Sequence, residues 1–392
     1  MGISIALVGL GSFGSVFAEL FKSHPLVDRV GLCDREPDRV ARFAEKESFQ
    51  DKFDPRDAYG RLEDVLAADF DAVAIITQPW LHAPQAVQAM EAGKDVYSAV
   101  PVMMVPDGEE ILDWCDRIVE TSRRTGRRYM LGETTCYRPQ TMYCRRRAAA
   151  GDFGEFVHAD AQYFHDVDSP SCNLREVARS RLNSRAGREW LAVRETYADR
   201  RTFGGPMHYP THSISGPMCV MRAHAVKLSA FGLPGPEGDD FFAGRFADET
   251  ALVRLSNGAT LRVAEYRRIG HHEEEMFRLF GTAGSFREDQ WLDKESATPL
   301  TVEEMRDPLP EEVLAAYRGV STTADVFGTF GGHGGSHPYL VDEFVSAIAE
   351  GRQPAVNAWE AVRYMACGVV AHKSCLRDGE RLDVPDWGDA PP

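Results

Sequence analysis

No apolar run in this chain approaches the roughly 18 residues that a membrane-crossing helix needs. The opening stretch, Ile3 to Val8, is too short for a secretory signal and flows directly into a glycine turn. Cysteine is sparse: eight are scattered through 392 residues, with no Cys-x-x-Cys pair. That distribution fits free thiols in a reducing, cytoplasmic setting, each serving as a small buried apolar residue. Positive charge is short too, with 44 basic residues against 60 acidic ones and a net charge of −16. A chain so acidic lacks the basic patches that nucleic acid or an anionic membrane requires, so neither is expected as a partner. Internal repeats and low-complexity tracts are absent as well. What remains, 43% hydrophobic and 27% charged, describes a globular protein too long for one ordinary core, and two domains are expected.

The most informative feature present is Gly9-Leu10-Gly11-Ser12-Phe13-Gly14. It follows the apolar run Ile3–Val8 and precedes Val16–Phe21, which reads as a helix. An acid, Asp34, closes the next strand-like run about twenty residues after the last glycine, the spacing of a dinucleotide fingerprint. Gly9 permits the tight turn, Gly11 lets the backbone approach a pyrophosphate, and Gly14 lets helix and strand pack closely. The helix N-terminus offers unpaired N–H groups and its positive dipole end, with Ser12 and Phe13 in its first turn. Asp34 is placed to accept from both ribose hydroxyls and to repel a 2′-phosphate. NAD is therefore expected in preference to NADP, with Arg35 the one neighbour that argues for the phosphate.

Through residue 135 the chain alternates strand-like and helix-like segments, including Ala72–Thr77, a helical pattern through Ala86, Val87 and Met90, a strand around Val96-Tyr97, a helix from Asp107 to Arg124, and Tyr129–Leu131. Such alternation predicts a doubly wound parallel sheet, an α/β Rossmann domain over 1–135. Beyond it the pattern changes. Phe156–Phe164 and the stretches 225–232, 249–255, 259–267 and 276–281 read as strands, with Asn257-Gly258 a hairpin signal. Helices are expected near 338–350 and 357–376. Residues 136–392 are thus expected to form a substrate-binding and oligomerisation α+β domain with an open, mainly antiparallel sheet. An insertion at 166–203 carries eight arginines, one tryptophan and little apolar periodicity. It reads either as a solvated surface excursion or as a lid or subunit contact. The run His271-His272-Glu273-Glu274-Glu275 reads as a solvated loop.

Taken together these residues resemble the Gfo/Idh/MocA family of nicotinamide-dependent, sugar-acting oxidoreductases. The fingerprint carries the resemblance, with Ile76-Thr77-Gln78-Pro79-Trp80-Leu81-His82, Gly93-Lys94-Asp95-Val96-Tyr97 leading to Pro101, Gly151-Asp152-Phe153-Gly154-Glu155, and Ala349-Glu350-Gly351-Arg352-Gln353-Pro354. It implies a C-terminal sheet that makes subunit contacts, hence a homo-oligomer, and cofactor contacts from Thr77, Gln78, Pro79 and His82. Two positions depart from the family. Its usual Glu-Lys-Pro, whose lysine relays the substrate proton, reads Ala99-Val100-Pro101 here, and valine exchanges no proton. Its aspartate four residues before a histidine is His208, in Gly204-Gly205-Pro206-Met207-His208-Tyr209-Pro210-Thr211-His212. The Tyr-Pro-Thr-His segment, followed by Gly216-Pro217, and the loop Gly331-Gly332-His333-Gly334-Gly335 resemble the NAD-dependent glycosidases of glycoside hydrolase family 109. Val100-Pro101, Thr135-Cys136-Tyr137 and His165-Asp166 match in part. Those glycosidases keep a glutamate at the place of Ala99, and 166–330 diverges from them, which marks kinship within the superfamily and not membership.

Oxidising a sugar hydroxyl needs a base that titrates near working pH, and with lysine gone histidine is favoured. His212 is the candidate, with Tyr209 as the group that shares or relays the proton, and His165 and Asp166 at a strand end nearby. His208, His333, Tyr137 and Arg138 are candidate substrate contacts, Arg138 serving equally well as a domain-junction ion pair. His208 and His212 stand four apart and, with His165, Asp166 or Asp168, would suit a divalent metal on a continuous helix. Pro210 interrupts that geometry, so no metal is expected. Three readings follow. The first is an NAD-dependent dehydrogenase acting on a secondary hydroxyl, such as that on carbon 3, of a sugar or glycoside. The second is a redox-assisted glycosidase that oxidises, eliminates, hydrates and reduces. The third is a cofactor-binding sensor without catalysis.

Overall fold

The computed structural model describes residues 2–170, 173–200, 202–320, 325–330 and 332–391. Gly331 of the glycine–histidine loop, Cys172 and Arg201 of the insertion lie outside them. The first unit runs β1 (Ile3–Val8), α1 (Ser12–Ser23), β2 (Val27–Cys33), α2 (Pro37–Ala44), β3 (Ala58–Tyr59), α3 (Leu62–Ala67), β4 (Ala72–Ile75), α4 (His82–Glu91), β5 (Asp95–Ser98), α5 (Gly108–Thr125) and β6 (Tyr129–Leu131). Its six strands are parallel in the order β3-β2-β1-β4-β5-β6. Helices cover both faces, so β4 and β5 are buried throughout, and β4 accordingly reads as an apolar run, Ala72–Ile75, with no alternation. The order reverses between β1 and β4, and a ligand crevice opens beyond the carboxyl ends of those strands.

A short 3-10 turn, Thr134–Tyr137, leads to α6 (Pro139–Ala149), β7 (Phe156–Phe164), α7 (Leu174–Arg181), α8 (Arg185–Asp199) and α9 (Thr211–Met221). Then come β8 (Ala225–Pro234), β9 (Phe246–Leu255), β10 (Thr260–Tyr266), β11 (Glu274–Gly281), β12 (Ser285–Arg287), β13 (Gln290–Leu292), β14 (Ala297–Pro299) and, near the end, β15 (Leu382–Asp383). The second sheet has the order β14-β13-β12-β11-β7-β10-β9-β8-β15. Its pairs are antiparallel except β7 with β10. The α7–α9 excursion after β7 gives the chain the length to re-enter the sheet elsewhere.

The insertion, read from sequence as a solvated surface excursion or as a lid or subunit contact, folds as two mostly exposed helices. Asn173 caps α7 through the Glu176 N–H, and Ser184 caps α8 through the Gly187 N–H. Of α8 only Gly187 and Tyr197 are buried. A helix held at so few points needs no apolar stripe, and the sequence shows none. The run 271–275 is likewise not all loop: Glu274 and Glu275 open β11.

Two late helices, His337–Glu350 and Ala358–Cys375, return to the first unit. The second is buried along nearly its whole length, packing on α5 and on β8, with Lys373 bonded to Glu109 at 2.5 Å. Gly368 lets it cross the 206–210 segment closely, since a Cβ there would meet the Met207 carbonyl at 2.2 Å. Among the described residues the cysteines are free, and no helix is long and apolar enough to cross a membrane.

Candidate active site

The glycine turn has the geometry a dinucleotide requires. Gly9 sits at φ +97, and a Cβ on it would meet the Ile76 carbonyl at 2.2 Å. A Cβ on Gly14 would meet Gly9 O at 2.0 Å, so helix and strand can approach only without side chains. Gly11 is different: nothing but the Arg39 guanidinium, 3.9 Å away, faces it, leaving backbone open to a ligand. No side chain caps α1, so its first N–H groups face the crevice. Asp34 is buried and held by the Leu10 N–H at 2.7 Å and the Glu36 N–H at 2.9 Å. These residues fit NAD.

At the end of β4 the predicted contacts divide. Gln78 and Pro79 are half-buried at the rim, and the Thr77 hydroxyl donates to Gln85 at 2.6 Å. His82 is a staple: its Nδ1 lies 2.8 Å from Pro101 O and its Nε2 3.3 Å from Thr77 O. Burial pushes its pKa down, so it holds the two strand-end loops as a neutral ring.

His212, in the first turn of α9, is buried. Its Nδ1 lies 3.0 Å from Glu133 Oε1, and its Nε2 lies 3.5 Å from the Tyr209 hydroxyl. Glu133 follows β6 at the carboxyl end of the first sheet and is fully buried, receiving the Thr135 N–H at 2.9 Å. Burial disfavours the imidazolium, but Glu133 and then Glu275 outweigh it and raise His212 to about 9. Burial disfavours the carboxylate in turn, yet the His212 charge holds Glu133 below its ordinary value. Glu133 Oε2 has no hydrogen-bond partner among the described residues. Burial raises the Tyr209 phenol, so it stays protonated at neutral pH.

Other rings complete the cluster. Tyr163 stands 5.4 Å from His212 centroid to centroid, and its hydroxyl is 2.7 Å from His165 Nδ1. His333, left-handed at φ 58, lies 5.5 Å from His212, and Phe13 of the glycine turn lies 6.4 Å from His333. The cofactor turn and the His212 cluster therefore share one crevice. Tyr137 is buried with Arg145 over its ring, and its hydroxyl is without a partner among the described residues. Arg138 pairs with Glu275, whose other oxygen accepts from Thr135, so it ties the first sheet's edge to β11.

Two predicted residues are not brought to this cluster. Asp166 spends both oxygens on backbone, taking the Asp168 N–H at 2.9 Å and the Ile269 N–H at 2.8 Å. His208 sits in a 3-10 turn before Pro210, with Nδ1 3.1 Å from Val105 O and its ring 4.5 Å from His372. The turn breaks the i, i+4 relation with His212. Among the described residues no three metal-ligating side chains converge. The residues that sequence reasoning missed are Glu133 and Glu275. An acid two residues past a buried strand was the available signal for Glu133, since ligands bind at strand carboxyl ends. Glu275 was hidden in a charged run.

The family model for the Gfo/Idh/MocA oxidoreductases' NAD-binding Rossmann fold matches residues 3–133, and that for the family's C-terminal alpha/beta domain matches 202–382. A glycosyl hydrolase family 109 protein of Stenotrophomonas maltophilia is 25% identical over 98% of this chain and 89% of its own. An alpha-N-acetylgalactosaminidase of Bacteroides fragilis is 23% identical over 98% of this chain and 92% of its own. In fold, the chain is similar to the scyllo-inositol dehydrogenase of Lactobacillus casei solved with NAD(H) and scyllo-inositol. That likeness has a TM-score of 0.64 at 16% identity and covers 98% of this chain and 99% of the other. Both halves thus match one family in the order the fold requires, and the protein belongs to the Gfo/Idh/MocA oxidoreductases, with an NAD-binding Rossmann unit first.

Proposed function

We propose that the protein oxidises a secondary hydroxyl, such as that on carbon 3, of a sugar or glycoside, with Tyr209, His212 and Glu133 moving the proton. Gly9, Gly11, Gly14 and Asp34 would hold NAD, which would supply the acceptor for the hydride of the carbinol carbon. The relay is carried by one observation: His212 stands between Glu133 at 3.0 Å and Tyr209 at 3.5 Å, in the crevice that Phe13 borders. Tyr209 takes the hydroxyl proton and passes its own to His212 Nε2. Glu133 fixes the His212 tautomer, accepting from Nδ1, and stabilises the imidazolium. Val100 supplies no proton acceptor at the family's lysine position. Glu133, reaching in from the end of β6, supplies the carboxylate that Ala99 lacks at the end of the neighbouring β5. His165, His333, Tyr137 and Arg138 are read as the walls that hold the sugar. Asp34 favours NAD over NADP. The open face of the second sheet, with Phe231, Leu233 and Leu252 exposed, is read as the subunit contact of a homo-oligomer.

A second reading is favoured by the relatives' printed names. In it, oxidation at carbon 3 acidifies the carbon 2 proton, the leaving group is eliminated, water adds, and the hydride returns. A panel of glycosides incubated with NAD, followed for absorbance and aglycone release together, tests both. Rising NADH absorbance supports net oxidation, and aglycone release without it supports the second reading. No change with any glycoside overturns both.

A further inference from the structure

The inserted helix α8 is fastened across the carboxyl edge of the first sheet by two adjacent residues. Glu189 receives both Arg35 Nη groups, at 2.6 and 2.8 Å. Trp190 stacks on Trp80, centroids 4.4 Å apart and planes 14° from parallel. A third tie joins the Tyr197 hydroxyl to Glu110 Oε2 at 2.8 Å in the first turn of α5. Arg35 follows β2 directly after Asp34, and Trp80 follows β4. The helix therefore spans from one lip of the crevice to the other, over the side where Asp34 holds the adenosine ribose. Apolar burial in α8 is confined to Tyr197, in the core, and Trp190, packed against it, so the helix is held at these two points and by the Glu189 ion pair.

Two arginines stand beside Asp34 where a 2′-phosphate would lie. Arg39 is 3.4 Å from Asp34 Oδ2, and Arg35 is the next residue in the chain. A guanidinium so placed is how a Rossmann site accommodates the phosphate of NADP. Here Glu189 occupies the fork of Arg35 and sets a second carboxylate beside the first. We propose that α8 is a clasp over the adenosine half of the cofactor, and that Glu189 on it is a determinant of NAD over NADP. This rests on the NAD reading of the glycine turn and is independent of which sugar is oxidised.

Calorimetric titration of the full chain with NAD⁺ and with NADP⁺, without sugar, tests it apart from turnover. Glu189→Gln frees Arg35, and NADP⁺ binding is expected to tighten about tenfold relative to NAD⁺. Trp190→Ala loosens the clasp and is expected to weaken both cofactors about three- to tenfold, with their ratio unchanged. Adding Arg35→Ala to Glu189→Gln should return the ratio to the wild-type value. An unchanged NADP⁺/NAD⁺ ratio in Glu189→Gln, or a shift that persists without Arg35, overturns the proposal.

Discussion

Among the described residues two buried histidine–glutamate pairs stand out, and they differ in what is left over. His372 Nδ1 lies 2.6 Å from Glu249 Oε1, its Nε2 meets Phe203 O at 2.9 Å, and Glu249 Oε2 takes the Met207 N–H at 2.7 Å. Each of those atoms is spent on the fold. In the other pair His212 Nδ1 meets Glu133 at 3.0 Å, its Nε2 faces only a hydroxyl at 3.5 Å, and Glu133 Oε2 has no partner among the described residues. Burial opposes the charged form of both histidines, and in both the paired glutamate raises the pKa all the same. A raised pKa therefore does not separate structure from chemistry. Unspent hydrogen-bonding capacity beside a crevice does.

The comparison breaks most clearly at His212. His212→Asn should lower turnover by about 10²- to 10⁴-fold, the share of a positioned acid–base group, while calorimetry finds NAD affinity within about twofold of wild type. Equal loss of cofactor affinity would assign His212 to the fold. Glu249→Gln should do the reverse, costing about 3 kcal/mol or more in denaturant unfolding because His372 is left charged or unpaired, with activity kept by the folded fraction. Glu133→Gln sharpens the contrast through pH. In the wild type, turnover should rise as His212 loses its proton near 9, and the substitution should move that rise toward the ordinary 6.5, read by pH–rate profiles and histidine NMR titration. Stability should follow with a defined sign. The raised His212 contributes fully below about 6.5 and its contribution fades as pH climbs through about 9, whereas the lowered Glu133 contributes above its ordinary value and fades on acidification.

Residues near one another in sequence were legible, and those that meet only through the fold were not. Gly9, Gly11, Gly14 and Asp34 lie within one βαβ unit, where local spacing dictates geometry. The strands 156–164 and 225–232 declared themselves by pattern, as did Asp107 at the start of α5. That Tyr209 and His212 lie together was legible because one turn holds both. Glu133 and Glu275 reach them from beyond β6 and from β11; the one local signal for Glu133 is its place two residues past a buried strand, and Glu275 is hidden in a charged run. The helices of the insertion were hidden for the opposite reason: held by an ion pair and a ring stack, they bury too little to leave a periodic trace.

The helix Ala358–Cys375 has a mechanical consequence. It is clamped to α5 on one side and to β8 on the other, and Gly368 leaves no slack where it crosses the segment before His212. One buried helix thereby bridges the two sheets, so hinging one sheet on the other would have to break its packing on α5 or on β8. The helix carrying Trp190, with few buried side chains to hold it at the rim, is expected to yield before that bridge does.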